Sequence, residues 1–350
     1  MGRLKLGVIF GGMSTEKEVS VVSGKYVLKN LNQNKYEIFP IYIDKTGNWY
    51  EYKGEYEKLD MSNKLENTQP IENIIKYIKQ LDVIFPVLHG LYGEDGTIQG
   101  LFELLQIPYV GCRVLASSVG MDKVYTKIIL QKAGINTVKS CYIKKYNDKY
   151  IFINEQFDEE KLGIKELGKK IEKIISYPMF VKPSNSGSSV GINKATNFEQ
   201  LTSAIEEAGK YDYKILVEQG IGGRELECAV LGNEDVIAGE IGEIKAADEF
   251  YSYDAKYNNE ASKTIIPADI TESQKGEIRN TAIKAFKAID GKGLSRVDFF
   301  LENGTNKIYL NEINTMPGFT QISMYPKLME AYGMSYKKIL DSLISIAQEK

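Results

Sequence analysis

Residues 294–318 constrain this chain more than any other stretch. Residues 294–301 (LSRVDFFL) and 308–314 (IYLNEIN) both carry the alternating pattern of strands. The intervening ENGTN, residues 302–306, is turn chemistry. Folded as a hairpin, the segment sets Arg296 and Asp298 on one face, because strand side chains repeat with period two. Glu312 and Asn314 share a face on the partner strand, and folding about Gly304 brings Asp298 towards Glu312. Oxygen donors without a neighbouring His or Cys suit a hard cation such as Mg²⁺, which needs one or two carboxylates together with substrate phosphates. A merely solvated hairpin face is the alternative. Against it stands Pro317-Gly318, which follows at once and exposes backbone N–H groups where the carboxylates point.

Upstream, strands alternate with helices. Residues 6–10 (LGVIF) form a short apolar run of the buried-strand kind. A tight loop, GGMSTE (11–16), follows, and then helical spacing through Val19, Val22, Tyr26, Val27 and Leu31. The unit is of dinucleotide-fold type, but it lacks G-x-G-x-x-G and does not indicate NAD. Residues 36–43 read as the next strand, 44–70 as irregular, 71–80 as a short helix, 83–88 as a third strand and 97–106 as a helix. The alternation predicts an α/β domain over residues 1–112, with a parallel sheet and ligands at the carboxyl ends of its strands. Glu16 and His89 both lie just after strand ends, so one ligand could touch both. His89 is the only histidine in the chain, and a structural hydrogen-bonding role is its alternative.

A helix opens at Gly120-Met121-Asp122-Lys123 and stops at Gly134. Residues 138–144 read as a strand, and 145–175 as a solvated insertion with one amphipathic helix near 159–175. The strand over 178–183 delivers Lys182 to the loop SNSGSSVGI, residues 184–192. Small residues let backbone N–H groups approach an anion, and serine hydroxyls add donors. The lysine precedes the glycines, so this is not a Walker A loop. A strand over 213–217 ends in Glu218-Gln219-Gly220-Ile221, and Glu225 opens the next. Residues 245–263 are polar and aromatic without period, which fits a lid over a site. Helices are expected over 271–289 and 334–347, the second with Ile339, Leu340, Leu343, Ile344 and Ala347 on its apolar face.

Composition narrows the function. The 350 residues suggest two or three domains, and a net charge of −3 leaves no electrostatic footprint for nucleic acid. No apolar run approaches the ~20 residues of a membrane span. The N-terminus runs straight into a strand and lacks a signal-peptide layout. Cys112, Cys141 and Cys228 show neither disulfide nor zinc spacing, and read as buried thiols of a protein in a reducing cytoplasm.

The motifs RVD (296–298), NEINTMPGFT (311–320) and SMYP (323–326) resemble those of the ATP-grasp ligases, and within them the D-alanine–D-alanine ligase family. The resemblance covers nearly the full chain in the family's order. It implies a Rossmann-like N-terminal domain over 1–112, a central ATP-grasp lobe over 113–217 and a C-terminal lobe over 218–350. It also implies ATP and D-alanine as substrates, Mg²⁺ or Mn²⁺ (two ions with ATP) at Asp298, Glu312 and Asn314, and a homodimer. By the same resemblance Glu16 anchors the first D-alanine's ammonium, with His89 beside it. Lys123, Lys182 and Lys256 meet the phosphates. Glu218 and Ile221 receive adenine, and Glu225 binds ribose. Ser188 and Tyr257 close the site with Glu16, while Ser323 and Met324 line the second amino-acid site. Arg296 and the Gly318 N–H are the donors available to a tetrahedral oxyanion. Other ATP-grasp ligases would share Lys182 and the metal set, but are not expected to share Glu16, His89-Gly90 and Lys256-Tyr257 together. A non-catalytic ATP-binding relative is expected to have lost a metal ligand or Arg296.

Overall fold

The structure, a computed structural model, describes residues 2–60, 66–147, 149–245 and 263–349. Three sheets carry it, of five, six and five strands. In the first, β1 (Leu4–Gly11) lies between β2 (Tyr36–Ile43) and β5 (Val83–Pro86) and is parallel to both. Its last six residues are buried, because helices cover both faces. Helix α1 (Lys17–Asn30) packs on β1 so closely that a Cβ on Gly24 would lie 2.7 Å from Cβ of Phe10. The tract at 44–70, expected to be irregular, contributes β3 (Trp49–Tyr52) and β4 (Thr68–Pro70), which extend the sheet antiparallel to β2. Strands of four and three residues are too short for alternation to register. Helices α2 (Ile74–Ile78) and α3 (Thr97–Leu105) flank β5 in the chain.

Between the first and second sheets run α4 (Val114–Met121) and α5 (Lys123–Lys132), which meet at Asp122. The Asp122 carboxylate accepts from the backbone N–H of Val124 and Tyr125 and caps α5. The second sheet, all antiparallel, comprises β6 (Ser140–Tyr146), β7 (Lys149–Ile153), β8 (Glu159–Leu162), β9 (Met179–Pro183), β10 (Asn193–Ala195) and β11 (Lys214–Gln219). The supposed insertion at 145–175 is thus part of the sheet. It supplies β7, β8 and α6 (Ile164–Glu172), whose Leu167 and Ile171 pack with Tyr150 and Phe152. The charged residues that suggested a solvated loop are those of the sheet's edge strand, β8, where Glu159, Glu160 and Lys161 are exposed. Helix α7 (Phe198–Ala208) covers the same apolar face as α6.

The third sheet is antiparallel, in the order β14 (Lys263–Ile265), β13 (Ile237–Lys245), β12 (Gly223–Gly232), β15 (Gly293–Glu302), β16 (Ile308–Asn314). The expected hairpin is β15–β16, with Arg296 opposite Asn314 and Asp298 opposite Glu312. A bulge between Asp298 and Phe299 shifts the register, so the paired acidic residues sit at a local kink of the kind found beside functional sites. Helix α8 (Glu272–Ala288) packs on one face. Helices α9 (Met324–Ala331) and α10 (Tyr336–Ile346) pack on the other, where Tyr325, Leu328, Leu340 and Leu343 join Phe10, Val21 and Phe85 in one core. That shared core ties the first sheet to the third.

Candidate active site

The ends of these elements enclose one cavity of about 1050 Å³. Its walls include Glu16, His89, Lys123, Lys182, Ser188, Glu218, Ile221, Glu225, Arg296, Asp298, Glu312, Asn314, Gly318, Ser323 and Met324. These residues span three sheets and more than 300 positions of sequence, and every site residue expected from sequence within the described residues is among them. Lys256 and Tyr257, with the rest of 246–262, lie outside the described residues.

At one end, the Ser188 hydroxyl donates to Glu16. The carboxylate of Glu16 is hemmed in by glycine, since a Cβ on Gly187 would come within 2.7 Å of Oε2 and one on Gly90 would also collide with it. Ser188 and Ser189 both have positive φ, 48° and 61°. This left-handed backbone is held by its neighbours: Asn185 donates to Asp212 at 2.8 Å, and Lys123 Nζ donates to the Ser186 carbonyl at 2.6 Å. Glu94, which sequence reasoning passed over, completes this end. Its Oε1 accepts from the Gly90 N–H at 2.7 Å. Burial, with the Glu16 charge added, holds its carboxyl well above the ordinary carboxylate range. The signal for it was its place in the His89–Gly96 loop after β5.

His89 is 4% exposed, and both ring nitrogens are engaged: Nδ1 with the Met316 carbonyl at 3.0 Å and Nε2 with Ser23 Oγ at 2.9 Å. Burial lowers its pKa, outweighing Glu16 and the Met316 carbonyl, which raise it.

Further in, Lys182 is paired with Glu218 Oε2 at 2.5 Å, and Lys127 reaches Oε1 of the same carboxylate at 2.5 Å. Burial alone would raise the Glu218 pKa, but Lys127 and then Lys182 outweigh it and bring it down to about 2. Lys127 was not anticipated. It follows Lys123 by one helical turn on α5, a spacing that puts both on one side of the helix.

On the hairpin, Arg296 makes a two-pronged bond to Asp298, 2.7 Å at each oxygen, and its Nε lies 3.0 Å from Glu227 Oε2. Burial would lower its pKa, but Asp298 and Glu227 hold it raised. Asn314 Nδ2 donates to Asp298 Oδ2 at 3.0 Å. With Glu312 opposite it, the oxygen-only set fits a divalent cation of the Mg²⁺ or Mn²⁺ kind. Glu227 was missed too, although it stands opposite Asp298 in the β12–β15 register and two residues from Glu225, on the same face.

Known proteins resemble this chain along nearly its whole length. The family models "D-ala D-ala ligase N-terminus" and "D-ala D-ala ligase C-terminus" match residues 5–112 and 129–345. A D-alanine–D-alanine ligase of Clostridium acetobutylicum is 49% identical over 99% of this chain and 98% of its own length. One from Acetivibrio thermocellus is 48% identical over 98% of this chain and 95% of its own. Among solved structures, the VanG D-Ala:D-Ser ligase from Enterococcus faecalis superposes with a TM-score of 0.86 at 39% identity, covering 99% of this chain and 100% of that one. The D-alanine-D-alanine ligase from Coxiella burnetii gives 0.85 at 35% identity, covering 99% and 94%. The chain belongs to the D-alanine–D-alanine ligase family, with the ATP-grasp fold.

Proposed function

We propose that this chain joins two D-alanine molecules to D-alanyl-D-alanine at the expense of ATP, for peptidoglycan precursor synthesis. The observation that supports it most is the convergence on one cavity of an anion-binding loop, paired lysines, an acidic hairpin and a carboxylate ringed by glycines. We assign residues 1–112, 113–217 and 218–350 as the three working units, in a cytoplasmic homodimer.

In the first step a carboxylate oxygen of the first D-alanine attacks the γ-phosphorus of ATP. The new C–O–P linkage forms as the bond to the bridging oxygen of ADP breaks. Glu16 holds the ammonium of that D-alanine. Lys123 and Lys182 bear on the phosphates, and Lys256 joins them by family resemblance. Glu218 and Ile221 take the adenine, and Glu225 the ribose. Asp298, Glu312 and Asn314 would hold Mg²⁺ or Mn²⁺, which neutralises charge on the transferring phosphoryl group. In the second step the amine of the second D-alanine attacks the acyl carbonyl carbon, and phosphate leaves. Arg296 and the Gly318 N–H face the developing oxyanion. The amine's proton departs through Tyr257 with Ser188, or through His89, the two routes the family resemblance offers.

Ser323 and Met324 line the second amino-acid site, and Met324 is 6% exposed. A buried thioether is only a weak acceptor for a substrate hydroxyl, which favours D-alanine over D-serine. The test is phosphate release from ATP and Mg²⁺ with D-alanine alone, and then with D-serine or D-lactate added, with mass analysis of the product. Phosphate matched by D-alanyl-D-alanine is expected. Strong turnover only with a mixed pair would reassign the second site.

A further inference from the structure

Helix α1 buries two serines on a face otherwise made of Val19, Val21, Val27 and Leu28, together with Lys17 and Gly24. Ser20 is accounted for by the sheet beneath: it accepts from the Gly11 N–H at 2.8 Å and donates to the Val87 carbonyl. Ser23 has no such task. It is fully buried, two turns beyond Glu16, and it bonds only outside its own domain's backbone: to His89 Nε2 at 2.9 Å and to the Phe319 N–H at 3.1 Å.

The directions of these bonds follow from chemistry. The Met316 carbonyl can only accept, so His89 Nδ1 must carry the ring proton that faces it. The buried ring is neutral, which leaves Nε2 as an acceptor, and the Ser23 hydroxyl donates to it. The Ser23 oxygen then accepts from Phe319. The chain of bonds therefore grips Met316 by its carbonyl and Phe319 by its amide, on either side of Pro317 and Gly318. Tyr336 Oη closes the far side, donating to the Phe319 carbonyl at 2.8 Å.

We propose that Ser23 is a positioning residue for the reaction, acting through His89 and the Phe319 amide to hold the 316–319 turn and so aim the Gly318 N–H into the cavity. This rests on the ligase reading above for the role of Gly318, while the bonds themselves do not.

A single histidine makes the test direct. With ¹⁵N-labelled histidine, native protein should show one ring protonated at Nδ1 and unprotonated at Nε2, the latter shifted by an accepted hydrogen bond. In Ser23→Ala the Nε2 signal should move towards that of a free acceptor, and kcat should fall on the order of 10- to 100-fold while KM for ATP stays within about twofold. Ser23→Thr, which keeps the hydroxyl, should retain the native ring signature and recover part of kcat. Native protein protonated at Nε2 would overturn the proposal without any variant, and so would Ser23→Ala with native kcat. Failure of the ligase reading looks different, because native enzyme and variants alike would then lack turnover with D-alanine.

Discussion

At the residue scale, charge pairing dictates how the site behaves. Glu312 stands opposite Asp298 across the hairpin and brings a second carboxylate to the candidate cation site. Glu312→Gln should abolish turnover while leaving the circular dichroism spectrum unchanged, and an active variant would sink the metal assignment. His89 yields a pH prediction. Its ring is neutral in the fold, with its pKa depressed by burial, whereas in the unfolded chain it titrates near about 6.5. Between those values the unfolded state binds more protons, so this ring's contribution to stability is present above about pH 6.5 and is lost as pH falls through it. Urea unfolding at about pH 7.5 and about pH 5.5 should show a smaller loss in His89→Gln than in the native protein. Glu16, His89 and Lys182 were legible from sequence because each sits in a motif at or just after the end of a strand, and Asp298 because it lies in the RVD motif of a hairpin strand. Glu94, Lys127 and Glu227 were not singled out, because their importance comes from the partner they meet: Gly90, Glu218 and Arg296.

At the scale of elements, α1 does most to connect packing with chemistry. Its N-terminal end presents Glu16, and its middle lies against β1 at Gly24. Alanine at that position would gain about 1 kcal/mol of helix propensity. It would also place Cβ within 2.7 Å and 2.8 Å of the Cβ and Cγ of Phe10, atoms near the backbone that cannot swing aside. Overpacking of this kind costs about 1–3 kcal/mol and wins. Gly24→Ala should therefore lower the urea midpoint and, by lifting the helix, raise KM for the first D-alanine more than KM for ATP. The long elements were readable: β1, α1, β15 and β16 all lie within a residue or two of their expected bounds. The short strands β3, β4, β7 and β8 escaped because they borrow their stability from a neighbouring strand, and three to five residues carry too little period to stand out.

At the scale of the whole molecule, one apolar core spans the first sheet and the third, with the turn that carries Gly318 lying across it. Phe319 is its keystone in a literal sense: fully buried, it meets Phe85 edge-on at 5.6 Å and Tyr325 at 5.5 Å. Phe319→Ala should cost about 3–5 kcal/mol. It should also lower kcat at temperatures where the protein is still folded, measured by comparing thermal melts with activity below the transition. Among the described residues no helix is long and apolar enough to cross a membrane. Cys112, Cys141 and Cys228 are buried free thiols pushed up to about 12 by that burial, so they pack as small apolar groups. By itself the sequence determined the strand–helix alternation, the Asp298–Glu312 hairpin and the family, because these rest on local period and on motifs whose members are near neighbours in the chain. Only the tertiary structure decided that 145–175 adds two strands to the second sheet, that Lys127 and Lys182 share Glu218, and that Ser23 and His89 grip a turn more than 200 residues away. Burial strips these groups of water and obliges each to find a partner wherever the chain happens to bring one, and no pattern along the sequence records that meeting.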